Sequence, residues 1–231
     1  MKIAIVNFSG NVGKSTIAKN LLKPRMDGIE IINIETINSD DSDGQKMKGK
    51  QFGQLSEQLM LTDDAIIDVG SSNIEDFVKL MDRYDGSHED FDIFLIPVVK
   101  ENKQVKDTIA TINALSSMGV PPEKIRVVFN RLDVDDIVEE IFYPLFGYYE
   151  DAKNFTLRPK ATIFDSELYQ NLSTYQTTIE QLLNDSTDYK AKLRETNNPD
   201  EKLDIVARIS LKRLAGSAKK NLDTVFEEIM R

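Results

Sequence analysis

The run Phe8-Ser9-Gly10-Asn11-Val12-Gly13-Lys14-Ser15-Thr16 sets two glycines, a lysine and adjacent hydroxyls into one short stretch. A glycine-containing turn that opens a helix aims backbone N–H groups at an anion, and the helix start adds partial positive charge. Lys14 would then neutralise β- and γ-phosphate oxygens, and the Ser15 hydroxyl would reach Mg2+. The spacing predicts a polyphosphate-binding loop made of Gly10, Asn11, Val12, Gly13, Lys14, Ser15 and Thr16. The strict loop pattern asks for glycine five residues before Gly13, where this chain has Phe8. Context supplies what the strict pattern lacks: apolar Ile3-Ala4-Ile5-Val6 precedes the run, and a helical pattern follows it.

Elements that would position this loop recur along the first half of the chain. Near-continuous apolar, β-branched runs at 3–6, 29–34, 65–68, 91–99 and 125–129 read as parallel strands buried on both faces, with 161–164 as a further candidate. Between them, 15–22, 51–61, 74–84 and 105–118 carry apolar residues at helical spacing. The alternation predicts an α/β fold: a doubly wound, mostly parallel sheet flanked by helices. In such sheets ligands sit at the carboxyl ends of strands. Gly10 to Ser15, Glu35, Asp68 and Asn130 all fall at predicted strand ends, so four ends are expected to converge on one crevice. Lys14, Mg2+ held by Ser15 and Asp68, and a carboxylate near water, Glu35, form a minimal set for phosphoryl transfer.

Composition narrows the alternatives. The 231 residues carry net charge −10, one histidine and no cysteine or tryptophan. Disulfides, thiol catalysis, iron–sulfur clusters and cysteine-bound zinc are excluded, and His88, in a polar loop, makes a Ser-His-Asp triad a poor fit. No apolar run approaches the roughly 20 residues of a membrane span, and the start is unlike a signal peptide, so a cytoplasmic protein is expected.

Ser9-Gly10-Asn11-Val12-Gly13-Lys14-Ser15 resembles the deviant phosphate loop of ParA/MinD-type ATPases, Lys-Gly-Gly-x-Gly-Lys-Ser/Thr, and the likeness spans roughly residues 1–170. Within that family the chain most resembles plasmid stability and partition proteins of the StbB kind. The resemblance implies ATP and Mg2+ as ligands. It places Glu35 beside the attacking water, Asp68 on the metal through water and Asn130 on the adenine edge. It also implies a nucleotide-dependent homodimer, a small plasmid-encoded adaptor, and Thr36 to Gly44 as the segment ordered by the γ-phosphate. Three positions depart from the pattern. Ser9 replaces the lysine that reaches across a dimer, Asn11 replaces the second glycine, and Asn33 replaces the first acid after the second strand. Slow or partner-stimulated hydrolysis is the expectation.

Alternatives stay open at this level. Asn130-Arg131-Leu132-Asp133 is similar to a guanine-reading Asn-Lys-x-Asp motif, which leaves GTP beside ATP. A small-molecule kinase or ligase, with a substrate pocket lined by the Tyr143 to Tyr149 cluster, or a nonhydrolysing nucleotide scaffold would use the same loop. The aromatic group Phe142, Tyr143, Phe146, Tyr148, Tyr149 and Phe155 reads as a small satellite core or a partner-facing surface. The chain divides into a nucleotide-binding domain, 1–173, and a C-terminal helical extension, 174–231, with a helix starting at Pro199 or Asp200 and Gly216 as its weak point. From Lys202 to Lys220 six basic residues face one acid, leaving −15 for the rest of the chain. Lys212, Arg213, Lys219 and Lys220 are candidates for sequence-independent DNA contact, a role the resemblance also implies.

Overall fold

A computed structural model describes residues 1–26, 28–34 and 49–231. Six strands form one sheet: β1 (Lys2–Ile5), β2 (Ile31–Asn33), β3 (Ala65–Asp68), β4 (Ile93–Val98), β5 (Ile125–Leu132) and β6 (Thr162–Phe164). Their order is β2-β3-β1-β4-β5-β6, and each neighbouring pair is parallel. The chain reverses direction across the sheet at β1, which pairs with β3 on one side and β4 on the other. That reversal opens a crevice beyond the strand ends, the usual ligand position in this architecture.

Strand alternation builds two cores. Ala4 and Val6 point into one layer with Phe77, Phe94, Val127 and Phe129, while Ile3 and Ile5 point into the other with Leu21, Leu22 and Val128. α2 (Gly49–Met60), α3 (Ile74–Arg83), α4 (Asn102–Ser117), α5 (Val138–Ile141) and α6 (Tyr143–Ala152) supply the first layer. The second layer is built from the helical run that starts with α1 (Lys14–Ile17), from α7 (Leu168–Thr174) and α8 (Ile179–Asn184), and from the C-terminal half of α10 (Pro199–Met230). α9 (Tyr189–Glu195) packs on α10.

The structure joins the aromatic cluster to the main core. Phe142 and Phe155 are buried, and Phe129 lies 4.8 Å from Phe142 and 6.0 Å from Phe146, measured between ring centroids. Tyr148 and Tyr149 pack on Phe155, and only Tyr143 of the group is largely exposed. Most of the group therefore belongs to the main core rather than to a separate satellite core.

The C-terminal segment from Pro199 is one continuous helix, with Asn198 as N-cap accepting from the Asp200 N–H at 3.0 Å. Gly216 does not break it. A mid-helix glycine costs about 1 kcal/mol, and burial of Ala215, Leu222, Val225 and Ile229 around it outweighs that. Asn221 of this helix also closes the edge of the sheet. Its amide donates to the Thr162 carbonyl at 2.9 Å and its oxygen accepts from the Phe164 N–H at 3.1 Å, pairing groups that an edge strand leaves open. Among the described residues no helix is long and apolar enough to cross a membrane.

Candidate functional site

The loop between β1 and α1 is held from beneath by buried polar side chains. Asn7, fully buried, donates to the Pro97 carbonyl at 2.8 Å and to Thr108 Oγ1 at 2.7 Å, and its own oxygen accepts from the Ser9 N–H at 2.8 Å. Thr111 Oγ1 accepts from the Phe8 N–H at 3.0 Å. The Ser9 hydroxyl donates to Asp107. Position 9, where the resemblance expects a lysine reaching a partner, is thus turned inward and tied to α4.

Two residues of the loop adopt left-handed backbone. Asn11 has φ 59°, a conformation that asparagine tolerates better than most non-glycine residues, which explains how it stands where the pattern has glycine. Gly13 has φ 89°, and a Cβ there would lie 2.3 Å from the Asn130 amide nitrogen, so no side chain fits. After Gly13 the chain becomes helical, α over Lys14–Ile17, π over Ala18–Leu22 and 3-10 over Lys23–Arg25. Lys14 is buried, and its ammonium donates to the carbonyls of Ser9 at 2.9 Å and Asn7 at 3.3 Å, so it lies across the loop it serves.

A cleft of about 300 Å3 opens above this loop, lined by residues 10–16 together with Asn33, Asp68, Gly70, Ser71 and Arg131. Asp68 ends β3, opposite Asn33 of β2 and Ile5 of β1 in register. It is only 4% exposed, and among the described residues its carboxylate accepts no hydrogen bond and forms no ion pair. The carboxylate oxygens are not sealed from the cleft, so a cation entering it can meet them. No cluster of three or more acidic, histidine or cysteine residues that could hold a metal ion occurs among the described residues. Mg2+ does not require one, because it commonly takes one or two protein ligands and fills its octahedron with water and phosphate oxygens. Asp68 and the exposed Ser15 hydroxyl, on one cleft, fit that donor set.

Asn130 is buried at the end of β5. Its Nδ2 donates to the Val12 carbonyl at 2.8 Å and its Oδ1 accepts from the Arg131 N–H at 3.0 Å, so it pins the loop to the strand. It also lines a second cavity of about 510 Å3, contiguous with the first through Gly13, Thr16 and Arg131 and walled on the far side by Phe164 to Glu167, Tyr169 and Gln170. Burial pushes the Tyr169 phenol up to about 12, so its hydroxyl is a neutral donor at physiological pH. Asp133, the acid of the guanine-like motif, is absent from this wall. It pairs with Lys100 at 2.8 Å, and Asp136 pairs with the same ammonium at 2.5 Å. Those two acids hold Lys100 above its ordinary value, and Lys100 holds Asp136 below the usual carboxylate range. The geometry gives Asp133 a partner other than a base.

Glu35 and the segment from Thr36 to Gly44 lie outside the described residues. Asn7, Asp107, Gly70 and Ser71 support or line the cleft without a role in any motif above, and Arg131, which the guanine-like motif includes, lines the cleft itself. Gly70-Ser71-Ser72-Asn73 directly after a strand-end acid was a usable signal for the cleft wall. The others depend on long-range contacts. The basic residues of α10 are unequal: Arg213 and Lys220 are exposed, Lys212 donates to the Asp185 carbonyl, and Lys219 pairs with Asp223 at 2.7 Å.

A six-stranded parallel sheet with a glycine loop after its first strand, at the topological switch point, defines an α/β P-loop domain. Comparison with solved structures narrows the fold. The MinD cell division protein of Aquifex aeolicus superposes with a TM-score of 0.52 at 16% identity, covering 93% of this chain and 96% of that one. The same protein in its MinC:MinD complex gives 0.53 at 15% identity, with the same coverage. Apo McdA of Cyanothece gives 0.51 at 14%, covering 91% and 98%. The chain has the MinD/ParA-type P-loop NTPase fold. No protein-family model matches the sequence, and no curated protein matches it.

Proposed function

We propose that this chain is a nucleotide-dependent switch of the ParA/MinD kind. It binds ATP with Mg2+ in the cleft above residues 10–16 and acts in plasmid stability, partition or DNA positioning. The observation that carries this reading is convergence: the loop, Asp68 and Arg131 line one cleft from three separate strands, and Asn130 lines the cavity beside it.

Each group has a defined task. Backbone N–H groups of the loop and the Lys14 ammonium neutralise phosphate oxygens. Ser15 and Asp68 would hold Mg2+, which when bound would supply charge neutralisation along the phosphate chain. Asn130, at the border of the second cavity, meets the base edge, and Glu35 orients water. With Ser9 committed to Asp107 the trans cation is missing, and hydrolysis is slow or stimulated by a partner. Switching takes the form of a nucleotide-dependent homodimer whose contacts with a small adaptor protein change as Thr36 to Gly44 responds to the γ-phosphate. The nucleotide domain is 1–173 and the helical extension 174–231.

DNA contact falls to α10. Lys219 stands seven positions after Lys212 and Lys220 seven after Arg213, so the four form two adjoining stripes along one side of the helix. Changing all four to glutamate is expected to abolish DNA retention in a gel shift with an ATP analogue, and to lower the slope of log affinity against log salt by about four or more. Retention equal to wild type removes DNA from this helix. A second reading, phosphoryl transfer to a small molecule, is favoured by one feature. A cavity of about 770 Å3 adjoins Ser15 and Thr16, between Lys19, Lys23, Tyr169 and Glu180. Turnover only in the presence of an acceptor would establish that reading instead.

A further inference from the structure

We infer that Arg131 is the cation that replaces the missing lysine. It would act within the same chain on the nucleotide's β-phosphate. The inference rests on the reading of the cleft as a nucleoside triphosphate site.

The backbone makes the first argument. β5 and β6 pair Asn130 with Ile163 and then Leu132 with Phe164, so Arg131 is an extra residue in β5, a bulge. Bulges re-aim a side chain and are common beside active sites. Arg131 has φ 59°, a left-handed conformation uncommon for a long side chain and maintained only where the surroundings impose it. Here the surroundings are the Asn130 side chain, which grips the Arg131 N–H with one end and the Val12 carbonyl of the phosphate loop with the other. Bulge and loop are therefore one unit, and the bulge position is fixed relative to any phosphate the loop binds.

Placement and charge make the second. Arg131 lines both the cleft above the loop and the neighbouring cavity, so it stands where the phosphate chain would pass from one to the other. Its side chain is exposed, and among the described residues the guanidinium has no hydrogen-bond or ion-pair partner. Of the three nearest acids along the chain, Asp133 and Asp136 are taken by Lys100, and Asp135 forms no ion pair with Arg131. A guanidinium is charged at every working pH and offers a planar fork that matches phosphate oxygens. During hydrolysis water forms a bond to the γ-phosphorus while the bond from that phosphorus to the β–γ bridging oxygen breaks. The electron pair stays on that oxygen of ADP, and the water's proton is released with inorganic phosphate. Negative charge grows at the β-phosphate end, beside Arg131, where a fixed cation stabilises it.

The test compares wild type with Arg131→Ala and Arg131→Lys, each checked for an unchanged circular dichroism spectrum. Three quantities are read: affinity for a non-hydrolysable ATP analogue, capture of ADP with aluminium fluoride and Mg2+, and phosphate release. Arg131→Ala is expected to lose on the order of 10²-fold or more in capture and release, against less than about tenfold in analogue affinity. Arg131→Lys should recover part of the loss, because it keeps the charge without the fork. Capture and release equal to wild type in Arg131→Ala overturn the inference while leaving the nucleotide site intact. Absence of analogue binding by the wild-type protein overturns the site reading itself, and the inference with it.

Discussion

Replacing Lys14 by alanine is expected to weaken ATP binding about 30-fold or more, the equivalent of about 2 kcal/mol or more, because one partner of a largely desolvated charge pair is lost. Lys14 is buried within the loop and its ammonium donates to the Ser9 and Asn7 carbonyls, so its charge is held at the loop where phosphate would enter. Competition against a fluorescent ATP analogue reads the effect. The loop's own framework does not run through Lys14 alone: Asn7, Thr108, Thr111 and Asn130 hold it independently. The variant should therefore keep its circular dichroism spectrum and a cooperative melt. Unchanged ATP affinity in a folded Lys14→Ala protein would remove the phosphate-loop assignment.

Asp68→Asn is the second large effect, and it acts on the metal rather than on the nucleotide. The amide keeps the shape of the side chain and abolishes its charge, so packing at the end of β3 is retained. Groups that hold a metal through water typically contribute 10- to 100-fold in metal affinity or activity. The Mg2+ concentration for half-maximal phosphate release is expected to rise by about that factor, with ATP affinity in the absence of Mg2+ unchanged or improved. The improvement follows because Asp68 without a cation repels phosphate. Superimposable Mg2+ titrations for the two proteins would place the metal elsewhere.

The strands and the loop were legible because each is a local pattern. An apolar run such as Ile3-Ala4-Ile5-Val6 has one reading when a glycine turn and a helical pattern follow it, and Asp68 and Asn130 stand where strand ends must be. What escaped depends on partners distant in sequence. Ser9 bonding to Asp107 and Asn7 to Thr108 join residues about a hundred positions apart. The bulge at Arg131 arises from a register slip against β6, which no pattern within β5 marks. Gly216 was expected to weaken the last helix, a sound local inference that burial of its neighbours overrode. The aromatic cluster was ambiguous for the same reason: ring packing on Phe129 decides it, and Phe129 belongs to another element.

The central claim is a nucleotide site whose occupant sets the state of the molecule. Calorimetric titration of the wild-type protein with a non-hydrolysable ATP analogue and Mg2+, repeated with ADP and followed by sedimentation velocity on each saturated sample, tests it most directly. The expected result is saturable binding of one nucleotide per chain, with a larger sedimenting species in the ATP-analogue sample than in the ADP sample. Absence of binding heat, or identical sedimentation with the two nucleotides at saturation, would contradict it.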